Sequence, residues 1–264
     1  MKLSRTINLN LTRVITVVGG GGKTSFIFTL AKEAAALGKS VLITTTTAMF
    51  NPEYFDSLSP ESGGPAQPFD QIYIGPAEPL AARHRKPGNI LVAADAHNPK
   101  RKKLIGYTPE DLAAVLDSPG FDLILIEGDG ARMRPVKAPA GHEPVVPPRT
   151  DMLVGCIGLD CLGRPLDETH VHRPGLLAEI TGQAQGDPIT EQTLVRLAES
   201  DQGLFKSSAK GMTGTIILNK ADTPGRVQQG AAVAAQCRGK TRAGLCLITS
   251  FMDAGNPVKQ SISL

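Results

Sequence analysis

The densest chemistry in this 264-residue chain lies in VVGGGGKTS, residues 17–25. Four glycines, Gly19, Gly20, Gly21 and Gly22, precede Lys23, Thr24 and Ser25. Phosphate oxygens need several main-chain N–H groups converging on them, and glycine permits the dihedrals that turn consecutive amides inward. A helix starting here adds its unpaired first amides and its positive end. Lys23 is placed to reach β- and γ-phosphate oxygens, and Thr24 to set a hydroxyl on Mg²⁺. The first glycine of the usual GxxxxGK[ST] pattern is replaced by Val17. A dinucleotide fingerprint fits less well, because its last glycine would fall on Thr24 or Ser25. The plain alternative is a glycine-rich strand–helix turn with a solvated lysine.

The remaining GGxGKT resembles the deviant phosphate loops of dethiobiotin synthetases and partition ATPases. The extra signature lysine of partition ATPases would fall at Val18, so that mechanism is not supported. Downstream, an apolar run leads into Glu127-Gly128-Asp129-Gly130. A buried strand that delivers a carboxylate beside a phosphate loop suits Mg²⁺ coordination. Glu127 is the first choice for that role, since Glu-Gly follows this strand in the dethiobiotin-synthetase branch. Asp129 is the second, with an ordinary Asp-Gly turn as its alternative. Ligands of open α/β sheets gather at strand carboxyl ends, so Thr45 or Thr46, closing the second strand, is expected to touch ligand.

A third cluster reads GTIILNKAD. A strand ends in Asn219-Lys220-Ala221-Asp222, which fits the guanine-reading NKxD pattern. The carboxylate of Asp222 can accept from guanine N1–H and the 2-amino group; adenine offers neither donor and leaves it unpaired. The stem of Lys220 can lie along the base, and Asn219 can tie this loop to the glycines. Thr249-Ser250 ends a further strand where a second base-contacting loop would stand. ATP, or no base selectivity, is the alternative.

IEGDGARMRPVKAPAGHEPVVP, GLDCLGRPLDETHVHRP and LNKAD together resemble the YqeC family over most of residues 14–222. The resemblance implies a nucleotide-binding accessory protein in maturation of a selenium-dependent molybdenum hydroxylase. It leaves the reaction open. Gly128 departs from the family's expected alanine, while both neighbouring carboxylates are kept. Within these segments Lys137, His142 and Glu143 lie on a proline-stiffened stretch, and His172 and Arg173 just before a helix. These five are expected to present a second substrate. His142, His170 and His172 offer three imidazoles to a metal, but so loose a spacing favours anion or substrate contact.

The elements that must position these groups alternate. Strands are expected at Val14–Val18, Val41–Thr45, Ile72–Ile74, Ile90–Ala93, Leu123–Ile126, Met152–Ile157, Thr215–Leu218 and Leu245–Ile248. Helices are expected at Thr24–Leu37, Thr108–Leu116, Pro174–Ile180, Glu191–Ala198 and Val227–Cys237. Short, fully apolar strands alternating with helices predict an α/β fold: a doubly wound, mainly parallel sheet of the P-loop NTPase type. Ser59–Pro68 reads as a loop, and Arg134–Pro148, with five prolines, as extended or turning. Residues 1–264 read as a single nucleotide-binding domain, with room for a helical subdomain near 158–212.

Composition narrows the field. The net charge of +3 and 4% aromatic content argue against a nucleic-acid partner. Basic runs at Arg83–Lys86 and Lys100–Lys103 read first as solvated faces, with binding of an anionic molybdopterin-type ligand as the minor alternative. No apolar stretch is long enough to span a membrane. Four cysteines without a CxxC pair suit buried, reduced thiols in a cytoplasmic protein. Two classes of function remain. One is an Mg²⁺-dependent enzyme using GTP or ATP, a hydrolase or a small-molecule kinase or ligase; Lys23, Glu127 and Asp129 then form its catalytic centre. The other is a binding module that carries a nucleotide or a molybdenum cofactor to a partner hydroxylase without turnover.

Overall fold

The computed structural model describes residues 1–58, 68–83 and 86–264. Nearly all of the expected Ser59–Pro68 loop, and His84-Arg85 of the first basic run, lie outside the described residues. In chain order the early strands are β1 (Val14–Gly19), β2 (Val41–Thr45), β3 (Ala48–Phe50), β4 (Gln71–Ile74), β5 (Ile90–Ala94), β6 (Ala96–Asn98) and β7 (Lys103–Ile105). They are followed by β8 (Leu123–Glu127), β9 (Val136–Lys137), β10 (Met152–Gly158), β11 (Val171–His172), β12 (Thr213–Asn219), β13 (Ala243–Thr249) and β14 (Val258–Ser263). The helices are α1 (Lys23–Ala36), α2 (Glu78–Ala81), α3 (Pro109–Asp117), α4 (Pro174–Thr181), α5 (Glu191–Glu199) and α6 (Pro224–Cys237).

Nine strands form one sheet in the order β14-β13-β12-β10-β1-β8-β2-β5-β4. Every pairing in it is parallel except β13 with β14. Side chains alternate across a strand, so each apolar strand feeds two faces. Ile15 and Val17 of β1 pack with Phe26, Ile27 and Leu30 of α1. On the other face Val14 joins Leu112 and Val115 of α3, while Val18 joins the cluster of α5 and α6. This is why the central strands contain no polar alternation.

The faces follow from crossover handedness. The step from β1 to β2 runs one way along the sheet and puts α1 on the first face. The returns from β4 to β5 and toward β8, and the later steps to β12 and β13, run the other way. Their helices α2, α3, α5 and α6 cover the opposite face, as right-handed connections require. The direction reverses around β1. The crevice at its carboxyl end is where ligands of such sheets gather, and the glycines lie there.

The region near 158–212 contributes α4 and α5. Leu177 and Leu194 share their apolar cluster with Leu153 of β10 and Ile216 of β12. Several pieces gave no apolar signal. β14 reads VKQSIS and is mostly exposed, so its edge position left nothing periodic to see. The three-stranded sheet β3-β7-β6 and the β9–β11 pair use strands of two or three residues. All four cysteines are buried and free. Among the described residues no helix is long and apolar enough to cross a membrane.

Candidate functional site

β1 ends at Gly19, and the chain turns through Gly19, Gly21 and Gly22 with φ of 90°, 69° and 135° before α1 begins at Lys23. Side chains rarely adopt these angles, and space excludes them too. A Cβ on Gly21 would lie 2.2 Å from the Gly158 amide nitrogen, and one on Gly22 would lie 2.2 Å from the Asn219 amide. The loop is therefore packed against its neighbours. Its amides are partly committed: Gly19 N–H donates to Asp129 Oδ2 (3.1 Å), Gly20 N–H to Cys156 O (2.9 Å) and Gly21 N–H to Arg134 O (3.0 Å). The donors left to a ligand are the first amides of α1, which have no intrahelical acceptor.

Lys23 folds back into the protein. Its Nζ donates to Gly19 O (2.7 Å) and lies 3.3 Å from Asp129 Oδ1, with 5% of the side chain exposed. Burial works against its charge, but Asp129 and Glu127 outweigh burial and hold its pKa above the ordinary lysine value. Glu127 ends β8 directly beside β1 and accepts from Thr24 Oγ1 at 3.1 Å. Burial raises its pKa; Lys23 opposes the rise and Asp129 adds to it. The Thr24 hydroxyl and Glu127 carboxylate are a hard-oxygen pair at a strand–helix junction, a donor set that fits Mg²⁺. They would hold the ion, which would supply neutralising charge to phosphate oxygens.

Asp129 is a hub rather than a free turn residue. Its Oδ2 pairs with Lys137 Nζ at 2.9 Å, and Lys137 also meets Glu143 Oε2 (2.6 Å) and Gly130 O (2.7 Å). Glu143 Oε2 in turn takes Arg173 Nη1 at 2.6 Å. Lys23, Asp129, Lys137, Glu143 and Arg173 thus form one chain of alternating charge. Burial opposes ionisation of Glu143, yet the hydrogen bonds and charges of Arg173 and Lys137 hold its pKa at about 2. Lys137, expected to present a substrate, is instead inside the protein with its side chain fully covered. It bridges two carboxylates, and its ammonium is not offered to a ligand. His172 and Arg173 do line an open cleft, whereas His142 is exposed on the loop before it.

The hydroxyls of Thr45 and Thr46 are spent on the protein. Thr45 donates to Glu127 O (2.7 Å) and Thr46 to Val145 O (2.7 Å). Thr45 braces the end of β8 and Thr46 the proline-rich loop at Val145, and neither hydroxyl is left to a ligand as a donor. His170 pairs with Asp167 at 2.9 Å. Among the described residues no three His, Cys, Asp or Glu side chains converge on a metal position.

At the end of β12, Asn219 Nδ2 donates to Gly21 O at 2.8 Å, the tie its position predicts. Thr249 Oγ1 donates to Asn219 Oδ1 (3.2 Å), and Ser250 Oγ to Asp222 Oδ1 (2.5 Å). Lys220 takes a left-handed backbone, φ 62°, and its ammonium pairs with Asp160 at 2.6 Å. Asp160 lies in the GLDCLGRPLDETHVHRP segment, but nothing local pairs it with a lysine 60 residues away. The Arg134 carbonyl is unmarked as well, because a backbone acceptor has no sequence signature.

Two comparisons place the chain among known proteins. The family model described as YqeC protein matches residues 15–175, which carry β1 through the start of α4. "Uncharacterized protein YqeC" of Escherichia coli (strain K12) is 35% identical over 208 residues, covering 78% of this chain and 75% of that protein. By both measures, the chain belongs to the YqeC family.

Proposed function

We propose that the chain binds a purine nucleotide with Mg²⁺ at the carboxyl end of β1, prefers guanine, and acts as an accessory protein in maturation of a selenium-dependent molybdenum hydroxylase. The maturation role rests on the family resemblance; the nucleotide role rests on the site. One observation carries the guanine reading. Asn219 links the glycine loop to Thr249, and Ser250 steadies the Asp222 carboxylate, so the NKAD segment is fixed relative to the glycines. A carboxylate held this way suits two donors on one base edge. Adenine offers neither donor, so its edge would gain no bond from this carboxylate.

Phosphates would meet the start of α1, with Thr24 and Glu127 at the ion and Lys23 released from Asp129 to counter negative charge. In the enzymatic form of the proposal the γ-phosphate is hydrolysed or passed to a second substrate. A carrier without turnover is the second reading. It is favoured by the bonds that already occupy the Gly20 and Gly21 amides, which leave fewer main-chain donors to meet the charge that develops in a transition state.

Thermal unfolding with Mg²⁺ tests the base. GTP should raise the midpoint more than ATP, and Asp222→Ala should erase the difference, a change of about tenfold in relative affinity. Equal protection by the two nucleotides in the unmodified protein would falsify the guanine assignment. Phosphate release from GTP separates enzyme from carrier.

A further inference from the structure

A cleft of about 670 Å³ opens beside the glycine loop, between the β3–β7–β6 sheet, the loop after β8 and the start of α4. Arg101, Lys103, Arg132, Arg134 and Arg173 all line it. Two carboxylates, Glu143 and Glu168, stand against these five cations. Glu143 is already claimed by Lys137 as well as Arg173. Among the described residues no hydrogen bond or ion pair holds the head groups of Arg101, Lys103, Arg132 or Arg134. Four unpaired cations around one cavity repel one another, a cost that an anionic occupant removes.

The cleft adjoins the glycine loop. Arg134 lines it, and the same residue's carbonyl accepts from Gly21 N–H. Lys103 is near enough to bias Glu127, and Arg132, with Arg173 and Lys137, to bias His172. Among the described residues no Phe, Tyr or Trp lines the cavity and its one ring is the imidazole of His172, so a base finds no broad stacking surface there. Its size suits a small molecule.

We propose that this cleft binds a compact, non-aromatic polyanion, a ligand with two or more phosphate or carboxylate groups, gripped by Arg101, Arg132, Arg134 and Arg173. Planar guanidinium groups match such oxyanions in paired hydrogen bonds. The ligand is the second substrate or the cargo of the nucleotide site. That pairing rests on the nucleotide reading, while the binding itself does not.

Calorimetric titration of the full chain with bisphosphoglycerate tests the proposal. Binding is expected, weakening as salt rises. Arg101→Ala/Arg132→Ala, two exposed side chains outside the glycine loop, should weaken it by about tenfold or more. Protection by GTP should change little in that variant. Bisphosphoglycerate binding without any response to GTP or ATP would sink the nucleotide reading and keep the cleft. Unchanged affinity in the double variant overturns the proposal, as does full displacement of the probe by GTP. Tighter, arginine-dependent binding of a short single-stranded RNA would also overturn it, by giving the surface to a nucleic acid.

Discussion

His172 is a base and Glu143 an acid, yet acidification acts on both in the same direction. Burial and the nearby cations Arg173, Lys137 and Arg132 lower the His172 pKa from 6.5 to about 4. The folded state therefore prefers the neutral ring. This contribution to stability is complete above 6.5 and is lost as pH falls through about 4. Glu143, depressed from 4.5 to about 2, contributes fully above 4.5 and loses its contribution as pH falls toward about 2. Melting temperature should thus decline in two stages on acidification. His172→Gln should flatten the upper stage and leave the lower one in place. An identical upper slope in the variant would show that another group titrates there. Of these two side chains the sequence marked the positions but not the sign of their perturbation, which depends on cations drawn from three separate segments.

α3 shows what local sequence can specify. Thr108 accepts from Asp111 N–H at 3.1 Å, Asp111 Oδ2 accepts from Thr108 N–H at 3.1 Å, and Pro109 fills the first helical turn. The start signals are contiguous in the chain, so the expected Thr108–Leu116 helix and the observed Pro109–Asp117 nearly coincide. Thr108→Ala should cost about 1 kcal/mol. A urea titration should show the midpoint lowered with the slope unchanged; no shift would mean the cap adds nothing beyond solvent. α1 is the contrasting case. Its start is set by Gly22 with φ 135° and by packing against Asn219, so it lacks a side-chain cap and depends on the sheet around it.

The charge chain from Lys23 to Arg173 joins the start of α1, the loop after β8, β9 with the loop that follows it, and the start of α4. Lys137 is its centre. Lys137→Met keeps the bulk but removes the buried cation that Asp129 and Glu143 share, leaving Asp129 to Lys23 and Glu143 to Arg173. The expected loss is about 3–5 kcal/mol of unfolding free energy. Arg149→Ala removes the exposed pair with Asp117 and should cost under about 1 kcal/mol. Denaturant unfolding of the two variants side by side reads the contrast. Comparable small losses in both would show that the buried chain relaxes around the missing ammonium.

The apolar runs that became the central strands, and the helices between them, were legible because burial on both faces demands an unbroken local pattern. The order GGGGKT, EGDG, NKAD was equally visible, since each motif is contiguous. Lys137 read as a substrate-facing residue and lies buried between carboxylates. Thr45 and Thr46 read as ligand contacts and donate to backbone carbonyls. Asp160, Arg132 and Arg134 carry no local signal of a role, and Arg101 reads as part of the solvated basic run Lys100–Lys103 but lines the cleft. All of these depend on which distant segments meet, and an ammonium or hydroxyl carries no mark of its eventual partner. Chain order set the periodicity and the motifs; the assembled fold set the pairing, the burial and therefore the charge of each group.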